Sequence, residues 1–218
     1  MNRSIKIIAV LVLLVGINVL SFGDTFSNFG IGLYRFNEQY PDEDYSREYS
    51  GVDLYLALKY YPPKFPLGFF MQATVGKNFN GYEWKGNNMG TIDDDSINDI
   101  RLSMGPSVKL FPGRMIVVPL SIGPVFSMYW EENYSSSFDK NVYYEAYNIG
   151  LLADTSIIIN LGSRAFISSG FSFSWDFFRA ERGLMEMEYR QTHNKRIKSV
   201  DYYSFTGAIY TGFGVRYN

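Results

Sequence analysis

The strictest constraint on this chain is a period of two that runs through Ile100–Trp130. In its first arm Ile100, Leu102, Met104, Val108 and Leu110 share one parity. Arg101, Ser103, Gly105, Ser107 and Lys109 share the other. Successive side chains of an extended strand point to opposite faces, so this alternation is a β-strand signal. The second arm repeats it, with Ile116, Val118, Leu120, Ile122, Phe126 and Met128 against Val117, Ser121, Gly123, Ser127 and Tyr129. Pro112-Gly113 between the arms is turn chemistry. The stretch is therefore a hairpin with one bulky apolar face and one small, polar face. Pro106, Pro119 and Pro124 lie inside it. Proline cannot donate to a ladder, so the sequence predicts β-bulges there.

The same period marks six further strands. Gly51–Tyr61, Leu67–Phe79, Tyr147–Ile159, Ala165–Phe177 and Tyr203–Tyr217 each set large apolar residues against Gly, Ser, Thr, Ala and scattered charges. Phe29–Phe36 also alternates, but its faces are undecided: Ile31 and Leu33 run with Arg35, and Gly30 and Gly32 run with Tyr34 and Phe36. That makes eight strands. Short turns near Pro63, Gly113 and Gly162 alternate with long polar connections at Asn37–Ser50, Asn80–Asp99, Glu131–Tyr144 and Phe178–Ser199. Long connections thus fall at one end and short ones at the other. The only internal echo is Met104-Gly105-Pro106 against Ile122-Gly123-Pro124.

The first 23 residues read as a secretory signal peptide: Arg3 and Lys6, then the apolar run Ile7–Val15, then Ser21-Phe22-Gly23 before a cut at Asp24. Residues 24–218 form the mature domain on this reading. No cysteine is present, which excludes disulfides, thiolate metal sites and a thiol nucleophile. The formal charge is −2, so no bulk attraction to nucleic acid follows.

Alternation alone does not say which face is inside. A soluble barrel turns its apolar face inward, whereas a membrane barrel turns it to lipid. Here the polar face is mostly Gly, Ser, Thr and Ala, as a narrow eight-stranded lumen filled by side chains requires. Aromatic residues make up 18% of the chain and fall at the strand ends, which suits the two interfaces of a bilayer. With both termini at the turn end, Trp130, Trp175, Tyr129, Tyr147, Phe177, Tyr202 and Tyr203 gather near the loop rim. Tyr60, Tyr61, Phe65, Phe111 and Tyr217 gather near the turn rim. The expected fold is all-β: an eight-stranded antiparallel up-and-down transmembrane β-barrel.

From Phe29 to the end the chain resembles the small eight-stranded outer-membrane β-barrels of Gram-negative-type bacteria, the OmpA/OmpX/OmpW-like group. The signal peptide, the alternation of turns and loops, the Gly-Pro-Ser-Val phrase at Gly105–Val108 and the last strand carry the resemblance. It implies the bacterial outer membrane as location, a monomer, lipid as surroundings and no cofactor. It also implies recognition of the last strand by the barrel-assembly machinery. Phe213, Val215 and Tyr217 match that family's terminal pattern, although Asn218 follows them. Members act as adhesins, inert anchors, narrow channels or lipid enzymes, so the resemblance leaves activity open. The leading expectation is a non-enzymatic barrel that presents its loops outside the cell. A narrow channel for small or apolar solutes and a lipid-modifying enzyme are the alternatives.

Four sets of residues are candidate sites. Asp53, Lys59, Arg101, Lys109, Asp154, Asp176 and Arg216 lie on polar faces and predict a lumen charge network, since unpaired buried charges are costly. Four bases against three acids would leave one positive charge over. Arg179, Arg182, Arg190, Lys195, Arg196 and Lys198 form a basic surface-loop patch, which reads either as a site for an extracellular polyanionic partner or as solvated charge. His193, the only histidine, could serve acyl chemistry with Ser135–Ser137 or Ser199, but no spacing supports a catalytic pair. Asp93-Asp94-Asp95 lacks the spaced ligands of a calcium loop and reads as a solvated acidic turn.

Overall fold

Each alternating segment needs a hydrogen-bonded neighbour on both sides and a separate environment for each face, and a closed sheet supplies both. The computed structural model describes residues 23–40, 45–85, 88–92, 96–112, 115–135, 140–184, 198–200 and 202–217. Its strands are β1 (Asp24–Tyr40), β2 (Tyr45–Tyr61), β3 (Leu67–Lys85), β4 (Asn88–Ile92), β5 (Ser96–Pro112), β6 (Ile116–Ser135), β7 (Lys140–Asn160), β8 (Ala165–Leu184), β9 (Lys198–Val200) and β10 (Tyr203–Tyr217). Eight of them form the wall in the order β10-β1-β2-β3-β5-β6-β7-β8, and β8 pairs back onto β10 to close it. Closure leaves no open sheet edge, which hydrocarbon would not tolerate. The short strands β4 and β9 pair with the upper ends of β3 and β8.

The strands are longer than their apolar patterns. β1 and β2 stay in register up to Tyr40 opposite Tyr45, and β6 and β7 up to Ser135 opposite Lys140. Much of Asn37–Ser50, Asn80–Asp99 and Glu131–Tyr144, expected as loop, is therefore paired backbone. Beyond an apolar layer nothing enforces alternation, but backbone groups still gain from pairing. The pattern fades while the ladder continues.

The prolines do not produce the bulges expected of all three. Ser103 faces Val125 and Ser107 faces Ser121, so the register is the same on either side of Pro106 and Pro124. Gly105 then lies opposite Gly123, and a Cβ on Gly105 would approach the Gly123 Cα to 2.9 Å. The two halves of the sequence echo thus meet face to face, with glycine where the strands come closest. A register shift does occur between Lys109 and Phe111, next to Pro119.

Face assignment follows the alternation. Ile31, Leu33, Met104, Ile122, Phe171 and Ile209 are exposed on the outside, while Ser103, Ser121, Ser168 and Ser172 are buried inside. The first strand is settled as well: Phe29, Ile31 and Leu33 point outward, and Tyr34 and Phe36 inward. Phe177, Trp175, Tyr203, Phe65, Phe111 and Tyr217 are on the outer surface as expected of interface aromatics. Tyr129, Tyr202 and Tyr61 are not among them. They share parity with the lumen face and are buried inside the barrel.

Candidate functional site

Among the described residues, the lumen is where the fold concentrates buried charged and hydrogen-bonding side chains. At the turn end, the Asp24 carboxylate accepts hydrogen bonds from Lys109 Nζ and from Arg216 Nε at 2.6 Å. This joins β1, β5 and β10. Directly above, Phe26 packs edge-on against Tyr61 and Phe166, with ring centroids 6.2 and 5.6 Å apart. Val117 and Ile158 complete this buried apolar layer. Lys109 Nζ lies 4.4 Å from the Tyr61 ring centre, so the cation caps the layer as well as binding Asp24. Tyr61 Oη, Ser107 Oγ and Ser121 Oγ then form a chain at 2.7 and 2.8 Å.

In the middle of the barrel Lys59 Nζ donates to Asp154 Oδ1 at 2.5 Å and to Ser156 Oγ at 3.3 Å. Tyr210 donates its hydroxyl proton to the other Asp154 oxygen. Tyr55 stacks at a tilt on Tyr210 and donates to Asn28 Oδ1 at 3.0 Å, and Asn28 Nδ2 donates to Ser168 Oγ at 2.6 Å. Phe70, Val125 and Leu152 fill the remaining width.

The upper lumen holds a second ion cluster. Arg101 Nε donates to Asp99 Oδ2 at 2.7 Å and its Nη2 to Asp53 Oδ2 at 3.4 Å. The guanidinium lies 4.9 Å from the Tyr34 ring centre, and Tyr34 donates to Asp99 Oδ1 at 3.1 Å. Near the loop rim Phe36 stacks between Tyr129 at 4.9 Å and Tyr49 at 6.1 Å. Arg179 Nη1 donates to Glu38 Oε1, and the guanidinium lies over the Tyr202 ring at 4.5 Å. Asp176 Oδ2 accepts from Ser204 Oγ at 3.0 Å and Asn148 Nδ2 at 3.2 Å.

Small residues make these layers fit. A Cβ on Gly170 would meet the Tyr210 ring at 2.6 Å, one on Gly212 would meet Tyr55 Oη at 2.7 Å, and one on Gly68 would meet the Tyr61 ring at 2.6 Å. Glycine on one strand is thus the recess for an aromatic ring from another. The sequence indicated a small-residue lumen. It did not show that the small residues accommodate large ones from neighbouring strands.

All seven residues of the expected charge network face the lumen or its turn-end rim, where three carboxylates outside that set, Asp24, Asp99 and Glu38, join the ion pairs. Lys59 meets Asp154 and Arg101 meets Asp53. Asp176 meets neither base within ion-pair distance and is held by neutral groups, whereas Lys109 and Arg216 share Asp24. Sequence reasoning missed Asp24, Glu38 and Asp99. Parity would have found Asp99, which runs with Arg101, whereas Asp24 and Glu38 run with Phe26 and Phe36, whose face the sequence left undecided. Arg179 was expected in the loop patch and instead lies inside, 2% exposed. A register shift between Ile149 and Gly150 lets Phe177 and Phe178 both face outward, which turns Arg179 into the lumen. Arg182 lies on the backbone of β8 and Lys198 on that of β9. Arg190, Lys195, Arg196, His193 and Asp93–Asp95 lie outside the described residues.

No protein-family model matches the sequence, and no curated protein does either. Solved structures do match. The outer membrane protein OprG from Pseudomonas aeruginosa aligns with a TM-score of 0.61 at 11% identity, covering 90% of this chain and 97% of that one. Ail, the attachment invasion locus protein of Yersinia pestis, aligns with a TM-score of 0.50 at 11% identity, covering 89% of this chain and 99% of that one. At such identities the likeness is one of fold, and it agrees with the outward apolar belt and inward polar core. The chain is a small eight-stranded β-barrel of the bacterial outer-membrane type, with the architecture of the OmpA/OmpX/OmpW-like class.

Proposed function

We propose that this protein is a closed, non-enzymatic barrel that works through its loop end, outside the cell, in a surface, structural or adhesion-type role. The observation that supports this reading is the filling of the lumen. Phe26, Tyr61, Phe70 and Phe166 are each at most 1% exposed, so water does not reach the middle of the barrel from the turn end. An eight-stranded wall is only wide enough for side chains, and here apolar side chains fill it from the turn end to the middle. Ion pairs above and below the apolar layers fix the rings in place. A barrel with no passage acts at its ends, and the strands that continue past the apolar belt build up the loop end. The remaining basic residues of the last loop, Arg182, Arg190, Lys195, Arg196 and Lys198, suit an anionic partner there. Assembly would proceed through the last strand, β10, which pairs with β1 and β8 to complete the wall.

Planar-bilayer recording of the purified protein tests the reading. The unmodified barrel is expected to show no steady conductance. Replacing both Phe26 and Phe166 by alanine is expected to produce measurable leakage. A large, constant, open conductance from the unmodified protein would overturn the proposal in favour of a narrow channel.

A further inference from the structure

The charges of the lumen are unevenly distributed. Among the described residues its upper half holds four carboxylates, Glu38, Asp53, Asp99 and Asp176, against two guanidiniums, Arg101 and Arg179, a formal −2. The lower half holds Asp24 and Asp154 against Lys59, Lys109 and Arg216, a formal +1. Each guanidinium is committed, Arg101 to Asp99 and Asp53 and Arg179 to Glu38. Neither forms an ion pair with Asp176, which is held by Asn148 and Ser204 instead.

Asp176 is 1% exposed, and its Oδ1 has no hydrogen-bond partner. Asn148 is fully buried, and its Oδ1 has none either, although its amide nitrogen donates to Asp176 Oδ2 and Tyr202 Oη. Ser127 Oγ, Ser174 Oγ and Thr206 Oγ1 are in the same condition. The register brings these five residues together. Asn148 is the cross-strand partner of Ser127, Ser174 is the partner of Thr206, and Asp176 lies one inward-facing position above Ser174 on β8. Burying that many oxygens without partners is costly, and a carboxylate oxygen most of all.

We infer that a monovalent alkali cation, sodium or potassium with its water, occupies the upper lumen beside Asp176. All five open atoms are oxygens, and two of them only accept, so they suit a cation rather than an anion. Oxygen donors select hard cations. Divalent calcium takes several carboxylates at once, and one is open here. The cation compensates part of the excess negative charge and satisfies oxygens that no protein donor reaches.

The test is thermal unfolding of the whole barrel in micelles, in sodium or potassium chloride against N-methylglucamine chloride at equal ionic strength. The bulky organic cation cannot enter a filled lumen. The alkali salt is expected to raise Tm by about 2–4 °C, the shift that a modest ligand stabilisation gives a domain of this size. Asp176→Asn is expected to abolish the difference, and Lys77→Gln, on the outer surface, to keep it. Equal Tm values in the two salts, or an Asp176→Asn protein that retains the difference, would overturn the inference. Should Asp176→Asn fail to fold, crystals of the unmodified protein soaked in rubidium or thallium decide the matter. An anomalous peak beside Asp176 Oδ1 supports the site, and its absence at full occupancy of the soak removes it.

Discussion

The Lys59–Asp154 pair shows what a single residue contributes inside this lumen. Both side chains are buried, at 6% and 0% exposure, so removing one leaves the other charged and dry. Lys59→Met is expected to destabilise the barrel by about 3–5 kcal/mol, because it strands a buried carboxylate. Lys59→Met with Asp154→Asn should recover much of that loss, which paired unfolding titrations in urea would detect. An equally damaged double variant would refute the pairing argument. Glycine gives the complementary case. A Cβ on Gly123 would run into the facing backbone of Met104 and Gly105, which cannot move aside as a flexible side chain could. Gly123→Ala is expected to cost about 1–3 kcal/mol through overpacking. Gly162→Ala, in the turn after β7 with open space around it, should be close to neutral. The same titrations check the contrast.

At the scale of the strand, depth in the membrane governs tolerance. Met104 is 50% exposed near the middle of β5, in the apolar belt, and Met115 is 69% exposed in the turn before β6. Lysine at position 104 should cost about 2–4 kcal/mol and lysine at position 115 about 0–1 kcal/mol, since the penalty falls towards the interface. Folding yield into lipid vesicles measures the difference, and equal yields would show that the belt is misplaced. The first strand carries a further expectation. β1 starts at Asp24, the residue that follows the Ser21-Phe22-Gly23 signature, and its carboxylate ties β1 to β5 and β10. Signal removal should therefore yield a chain whose first residue is already part of the closed wall. N-terminal sequencing of membrane-extracted protein should read Asp24-Thr25-Phe26, and an intact Met1 would contradict it.

For the whole molecule, closure converts local pattern into a sealed object. The period of two was legible in Ile100–Trp130 and in six other segments, so strand number, the lipid-facing belt and the polar lumen could be read before any contact was seen. Alternation is a local property, imposed by the geometry of one extended chain between two environments. The last strand was legible to its ends, Tyr203 and Tyr217. Three things were not legible, because they depend on residues distant in sequence. The shift between Ile149 and Gly150 inverted parity at the end of β8 and moved Arg179 from the expected surface to the lumen. The length of the strands past the belt depended on backbone pairing with neighbours, not on side-chain pattern. The partners of the lumen charges depended on how the eight strands are staggered around the closed wall, which brought Asp24 to Arg216 and Glu38 to Arg179 across most of the chain. Sequence by itself thus determined the two faces of the wall in every strand but the first. Only the tertiary structure decided which side chains meet inside it, because those meetings arise from closure and register rather than from any one strand.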